Sequence, residues 1–573
     1  MGTTNSKIQG GHLLAKSIRE KGIERAFALA GGFVNPIYDG LLEYGVDLVA
    51  ARSEQEAGFL ANMQARITRK PSVCIAEPSG FVNYITAAAE AYHAHDPVIY
   101  ISANSISHRV ERMGFKETRQ AEMMAPITKY SVTVTEGTRI PEFFNKACNI
   151  AVSNPPGPVQ ISIPVNFLYS RYNIAPNESE RDLVLSPSTA HHSCPEPGSV
   201  ERVIEKLNQA KAPVIIAGGA AIWWEGAEAE IESFSAETGL PVFNPPWHIK
   251  MHNLSHPFNM GLADIHQNPA SRLIYKESDL VLLLGCPLDF TLDFGEPPLF
   301  NKSTQLIAVN SSRRELADNH FADITVLSDI KTFLGEMRKK VASIQIDKGW
   351  AEKIRSHKKE CNAAYLDAAR SDESPIHPLR LCLDTLNAMT PNDYLCIDGG
   401  DIYSWLEMAM NIFTAEGKRI KGLIHSGPFD QLGNGVSFAT AVKLNNPDSN
   451  VVLIVGDGSF GLSPGLPPET AIHYNTPITI VVAKNNSWGM INQQQKIIWK
   501  REFRTELRDV PYHKMVEGMG GYGQLVEKPD ELQPALQRAF DSKKASLVEV
   551  FSKNVISPIT QGLADIRERS SAE

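Results

Sequence analysis

Short apolar runs recur along this chain, and most of them end abruptly at glycine or a polar residue. Val451-Val452-Leu453-Ile454-Val455 leads into Gly456-Asp457-Gly458-Ser459-Phe460, and Ile478-Thr479-Ile480-Val481-Val482-Ala483 leads into Lys484-Asn485-Asn486. Runs that are apolar at every position, rather than at alternate ones, predict strands buried on both faces of a parallel sheet. Val46-Asp47-Leu48-Val49-Ala50, Val73-Cys74-Ile75-Ala76, Val98-Ile99-Tyr100-Ile101-Ser102 and the run Ala26-Phe27-Ala28-Leu29-Ala30 before Gly31-Gly32 predict strands of a first sheet. Leu14 to Ile23 has helical spacing, so strands and helices alternate here.

The same design returns twice. Ala212-Pro213-Val214-Ile215-Ile216-Ala217-Gly218-Gly219, Asp279-Leu280-Val281-Leu282-Leu283-Leu284-Gly285 and Leu306-Ile307-Ala308-Val309-Asn310 predict a second sheet. Tyr394-Leu395-Cys396-Ile397-Asp398-Gly399-Gly400, the two runs first described and Ser546-Leu547-Val548-Glu549-Val550 predict a third. The expected fold is α/β, with three doubly wound parallel-sheet domains in series at 1–185, 195–345 and 375–560. Residues 171–200, rich in Pro, Ser, Asn and charge, read as a linker, and a charged helical stretch bridges 345 to 375.

A chain of 573 residues is too long for one core and suits three domains. Its net charge of −9 argues against a nucleic-acid or membrane surface. No apolar run reaches membrane-spanning length, and the polar start Met1-Gly2-Thr3-Thr4-Asn5-Ser6-Lys7 lacks the apolar stretch of a signal peptide. Gly2 with Ser6 fits only the bare myristoylation pattern, which we set aside. The seven cysteines form no CxxC pair and read as reduced thiols of a cytoplasmic protein.

The chemistry gathers at strand ends, where open α/β sheets bind ligands. An Asp after one strand and an Asn after the next can offer two hard oxygen ligands to one Mg²⁺, and the glycines let backbone approach a diphosphate. Asp457 and Asn486 with Gly456, Gly458 and Ser459 are therefore a candidate metal–diphosphate site. The spacing of Gly456-Asp457-Gly458 and Asn485-Asn486 resembles the signature of thiamine diphosphate enzymes.

Further segments carry that resemblance in order. Arg52-Ser53-Glu54-Gln55-Glu56-Ala57-Gly58-Phe59-Leu60-Ala61 resembles the segment that holds the catalytic glutamate in thiamine diphosphate enzymes of the acetohydroxyacid synthase type. Phe27 to Asp39, with Gly31 and Gly32, resembles the family's Pro-Gly-Gly loop. Pro78-Ser79-Gly80-Phe81-Val82-Asn83 sits where GPGATN is expected, Phe115-Lys116-Glu117 where Phe-Gln-Glu is common, and Gly157 to Pro164 resembles a family strand. Leu284 to Gly295 is similar to a segment of 2-hydroxyacyl-CoA lyases and oxalyl-CoA decarboxylases, and Ser426-Gly427-Pro428-Phe429-Asp430-Gln431-Leu432-Gly433 resembles the family segment that wedges the cofactor.

The resemblance implies a lyase or carboligase that uses thiamine diphosphate and Mg²⁺ to cleave or form a C–C bond beside a carbonyl. Its donor is a 2-oxo acid or related ketone; a 2-hydroxyacyl-CoA lyase is the alternative, and a non-catalytic cofactor-binding protein a remote one. Small-molecule substrates of 2-oxo acid, acyloin or acyl-CoA type are implied. Glu54 becomes the acid that bonds the cofactor's pyrimidine nitrogen. Gly31, Gly32, Pro78 and Asn83 surround that end, and Leu432 is the apolar wedge under the bent cofactor. Asp457, Asn486 and the carbonyl of Trp488 are implied as metal ligands, with Gly489 and Met490 beside the diphosphate. Lys116 and His425 are expected to face substrate. Lys116 either serves an anionic group or a proton transfer there, or turns to solvent or to Glu117. His93 and His95 are expected in surface or supporting roles. FAD or ADP in the central domain is an implied option, with Pro287 in place of the usual Arg. A homodimer or homotetramer with active sites between subunits completes the expectation.

Overall fold

A computed structural model describes residues 7–173, 193–219, 226–244, 258–265, 268–319 and 322–562. Its first sheet is built from β2 (Arg25–Ala28), β3 (Asp47–Ala50), β4 (Ser72–Ala76), β5 (Val98–Asn104), β6 (Tyr130–Thr133) and β7 (Val159–Pro164), in the order β3-β2-β4-β5-β7-β6. Before it, β1 (Lys7–Gln9) pairs antiparallel with β8 (Arg171–Asn173). The expected linker therefore begins as a paired strand; residues 174–192 of it, including His191 and His192, lie outside the described residues.

The second sheet comprises β9 (Pro213–Ala217), β10 (Val242–Asn244), β11 (Asn259–Leu262), β12 (Leu280–Leu284), β13 (Gln305–Asn310) and β14 (Ile324–Leu327), ordered β11-β10-β9-β12-β13-β14. The third comprises β15 (Tyr394–Asp398), β16 (Gly422–Ile424), β17 (Val451–Gly456), β18 (Thr479–Lys484), β19 (Tyr522–Val526) and β20 (Ser546–Phe551), ordered β16-β15-β17-β18-β20-β19. All pairings within the three six-stranded sheets are parallel. The α/β class, with three parallel sheets flanked by helices, is as the apolar runs predicted.

Continuous apolar strands are satisfied here by burial on both faces. In the second sheet Ile215, Leu280, Leu282 and Leu284 join one core cluster, while Val214, Ile216, Val281 and Leu283 join another on the opposite face. Each such side chain contributes about 1.5–3 kcal/mol on burial. The first and third sheets share one topology, in which strand order reverses beside the first strand, between β2 and β4 and between β15 and β17. Crevices at such reversals, outside the carboxyl ends of the strands, are where ligands bind.

The chain divides into two compact units. One contains the first sheet together with Ser426–Pro447 and Leu462–Thr476; the other contains the second and third sheets. No helix among the described residues is long and apolar enough to cross a membrane. The seven cysteines are free.

Candidate active site

In the first unit the crevice forms around Glu54. β3 ends at Ala50, and Ser53 caps the helix Glu54–Thr68, its hydroxyl accepting from the Glu56 N–H at 3.1 Å. Such a cap satisfies an otherwise unpaired helix N–H, which explains a serine at this position. Two acids in the first turn suit the positive end of the helix dipole. Glu56 turns inward, where burial pushes its carboxyl up to about 7 although the Arg52 N–H donates to it at 2.8 Å.

Glu54 is buried, and the Asn83 amide donates to its Oε2 at 2.9 Å. A Cβ added at Gly80 would stand 1.9 Å from Glu54 Oε1, so glycine alone lets the β4 turn close on this carboxyl. Pro78 is buried in the same turn. Gly31 is equally confined, with Glu77 Cγ 2.0 Å from where its Cβ would be, whereas Gly32 faces open space. Lys116 is neither turned to solvent nor paired with Glu117. Its Nζ donates to Glu77 Oε2 at 2.7 Å, while Glu117 accepts the N–H groups of Glu111 and Gly114. His93 stacks on Phe429 and His95 caps the helix Ile85–Ala94, both structural placements.

Leu432 belongs to this unit too, half-buried in the loop that opens at Ser426. That loop is tied to the Glu54 helix by buried Arg66, which donates to the Ser426 carbonyl at 2.9 Å and to Asp96 at 2.7 Å. Glu90, fully buried beside Arg66, is pushed up to about 8 by desolvation.

In the second unit the ends of β17 and β18 bring Asp457 and the Asn486 backbone together. The Asn486 N–H donates to Asp457 Oδ2 at 2.7 Å and the Gly458 N–H to Oδ1 at 3.0 Å, which aims the carboxylate. Asn486 has φ +53°, a conformation asparagine tolerates better than most residues. Its side-chain Oδ1 is buried and lacks a hydrogen-bond partner. A buried unpaired oxygen costs about 1–3 kcal/mol, so it marks a place for a ligand. Burial pushes Asp457 up to about 6, an effect that a divalent cation would reverse.

Trp488 caps the helix Gly489–Trp499; its carbonyl accepts from Asn492 N–H at 2.9 Å and keeps a second lone pair. The Trp488 ring lies 2.7 Å from where a Gly458 Cβ would be, which excludes any larger residue there. Gly456 faces open space, Ser459 Oγ sits over Gly399, and Met490 packs on Gly400. The structure thus gathers Gly456, Asp457, Gly458, Ser459, Asn486, Trp488, Gly489 and Met490 around the ends of β15, β17 and β18. A hard-oxygen cation with a diphosphate fits the donor set: one carboxylate, one amide oxygen and one carbonyl. His425, expected at substrate, is buried with its ring 4.2 Å from that of Tyr403.

Sequence reasoning missed Glu77, Gly399, Gly400 and Lys484 as parts of these crevices. Lys484 is buried beside the Asn pair and bonded to Glu549 at 2.5 Å, to Asp509 and to the Val510 carbonyl, pinning the end of β18. A lysine closing an apolar run was the available signal. In the central domain Pro287 is exposed, and Gly218 packs directly against the Gly285 carbonyl.

Known proteins resemble this chain across all three sheets. Residues 8–123, 200–337 and 403–550 match the N-terminal TPP binding, central and C-terminal TPP binding domains of thiamine pyrophosphate enzymes. The chain is 29% identical over 555 residues to an acetolactate synthase large subunit of Mycobacterium tuberculosis, covering 95% of this chain and 96% of that protein. It is 27% identical over 571 residues to a 2-hydroxyacyl-CoA lyase of Arabidopsis thaliana, covering 96% of each. A probable acetolactate synthase large subunit of Methanocaldococcus jannaschii is 26% identical over 557 residues, 95% of this chain and 92% of the relative.

Proposed function

This chain belongs to the thiamine pyrophosphate enzyme family, and on that premise we propose that it is a carbon–carbon bond lyase or carboligase acting on a 2-oxo acid or related ketone donor. Bound thiamine diphosphate supplies a carbanion centre and an electron sink for bond cleavage beside a carbonyl. Asp457, Asn486 Oδ1 and the Trp488 carbonyl would hold Mg²⁺, and Gly456, Gly458, Ser459, Gly489 and Met490 would lie close to the diphosphate. Glu54, oriented by Asn83, would hold and exchange a proton at its carboxyl with the pyrimidine end of the cofactor. Gly31, Gly32, Pro78 and Leu432 shape the surrounding wall, and His425 is the polar side chain offered to substrate from the second unit.

The observation that carries this reading is the buried, partnerless Asn486 Oδ1 beside the oriented Asp457 carboxylate. Titration calorimetry with thiamine diphosphate and Mg²⁺ tests it. The wild type should bind the cofactor only when Mg²⁺ is present, and Asp457→Ala should lose that binding. Mg²⁺-independent binding, or unchanged binding in the variant, would sink the proposal.

The 2-hydroxyacyl-CoA lyase relatives support a second reading, in which the donor is a 2-hydroxyacyl thioester. A donor panel of pyruvate, other 2-oxo acids, 2-hydroxyacyl-CoAs and cyclic diketones separates the two by product. With Pro287 in place of a charged side chain, we propose a structural central domain rather than an FAD or ADP carrier. Two or four copies are proposed to assemble, each pair completing its sites with Glu54 from one copy and Asp457 from the other. Free cysteines fit a cytoplasmic setting.

A further inference from the structure

Two charged side chains beside the Glu54 turn, Glu77 and Lys116, were given no role in the function proposed above. Glu77 follows β4, and its buried carboxylate accepts the Phe33 N–H on Oε1 at 2.5 Å and Lys116 Nζ on Oε2 at 2.7 Å. Its side chain fills the place that a Cβ at Gly31 would take, 2.0 Å from Glu77 Cγ. The Phe81 N–H donates to the Glu77 carbonyl in the same turn whose Gly80 lies on Glu54. Part-buried Tyr38 donates to the Leu29 carbonyl at 2.7 Å, just ahead of the Gly31 that closes on Glu77.

Lys116 is brought there at a conformational cost. Its φ is +60°, a left-handed backbone that disfavours a side chain by about 1–2 kcal/mol. Glu111 and Met113, earlier in the same segment, share that sign of φ. The ammonium lies 5.4 Å from the ring centres of both Phe33 and Phe115, which stand edge to face. Its side chain is 26% exposed and therefore reachable by a small ligand. An ammonium has three N–H donors. One is spent on Glu77, whose two oxygens are both engaged, and two remain for an incoming acceptor.

We propose that Lys116, positioned by Glu77, is the specificity-determining cation that receives the carboxylate of a 2-oxo acid donor. A 2-oxo acid carries an anion directly beside the reacting carbonyl. A 2-hydroxyacyl thioester is neutral there and offers the ammonium no opposite charge, so it forgoes the ion-pair part of that hydrogen bond. The pair thus names the donor class within the function proposed above, and it rests on that reading for its place beside the reacting carbon. Glu77 is a positioning residue: it fixes where the ammonium stands without touching substrate.

The test uses the full chain reconstituted with thiamine diphosphate and Mg²⁺, as wild type, Lys116→Gln, Lys116→Arg and Glu77→Gln. For the best 2-oxo acid of the panel, Lys116→Gln should raise KM by about tenfold or more with a smaller change in kcat. Lys116→Arg should recover most of that loss, Glu77→Gln should fall between, and turnover of a 2-hydroxyacyl-CoA should change little. Equal losses on both donors, or an unchanged KM for the 2-oxo acid, would overturn the proposal. Oxamate, an unreactive carboxylate, is titrated calorimetrically into each protein with and without cofactor. Weaker oxamate binding in Lys116→Gln than in wild type supports the assignment even if no donor turns over; equal binding overturns it. Failure of wild type to bind thiamine diphosphate would count against the cofactor reading alone, since the oxamate comparison still reports on Lys116. Matched melting temperatures exclude unfolding as the cause.

Discussion

Glu54 shows how one residue draws its properties from neighbours distant in sequence. Its carboxyl needs Asn83 to orient it and the bare Gly80 to let the turn approach. Glu54→Gln should bind thiamine diphosphate with near-normal affinity by calorimetry and lose most turnover, because the shape survives and the exchangeable proton does not. Gly80→Ala should lose both affinity and activity, since its methyl would overlap the carboxyl, at a cost of about 1–3 kcal/mol. Glu90 makes a prediction about pH. Its carboxyl is raised to about 8 in the fold from an ordinary value of 4.5. Between those values the unfolded chain is ionised while the folded one holds the proton, so stability falls as pH rises through the window and levels off above it. Glu90→Gln removes that penalty, and its gain in Tm over wild type should be larger at pH 8 than at pH 5.

At the scale of elements, strands set depth and helix starts set direction. β4 and β17 occupy matching places in their sheets, and each ends in a turn that carries the chemistry. The Glu54 helix does more than present one acid. Through Arg66 it grips Asp96 and the Ser426 carbonyl, and so fixes the loop that carries Leu432. Arg66→Ala would strand two buried carboxyls, Asp96 and Glu90, and should destabilise the first unit by about 3–5 kcal/mol in denaturant unfolding. Long central strands such as β12 and β17 were legible as apolar runs. The short strands β10, β11 and β16 were not, because three or four residues carry too little pattern to stand out.

At the scale of the molecule, the proposed assembly predicts that specific activity falls on dilution as copies dissociate, in step with sedimentation velocity. Constant activity down to fully monomeric protein would count against shared sites. The sequence alone determined the α/β class, the three successive sheets and the pairing of Asp457 with Asn486. Those follow from local rules: the length of apolar runs, the residues that end them and the interval between two strand ends. Only the tertiary structure decided that Ser426–Pro447 and Leu462–Thr476 group with the first sheet, and that Lys116 turns to Glu77 rather than Glu117. Glu77 and Lys116 are far apart along the chain, on different turns of one sheet. Their partnership depends on parallel strands bringing their ends to a common edge, and that information resides in packing, not in any local stretch of sequence.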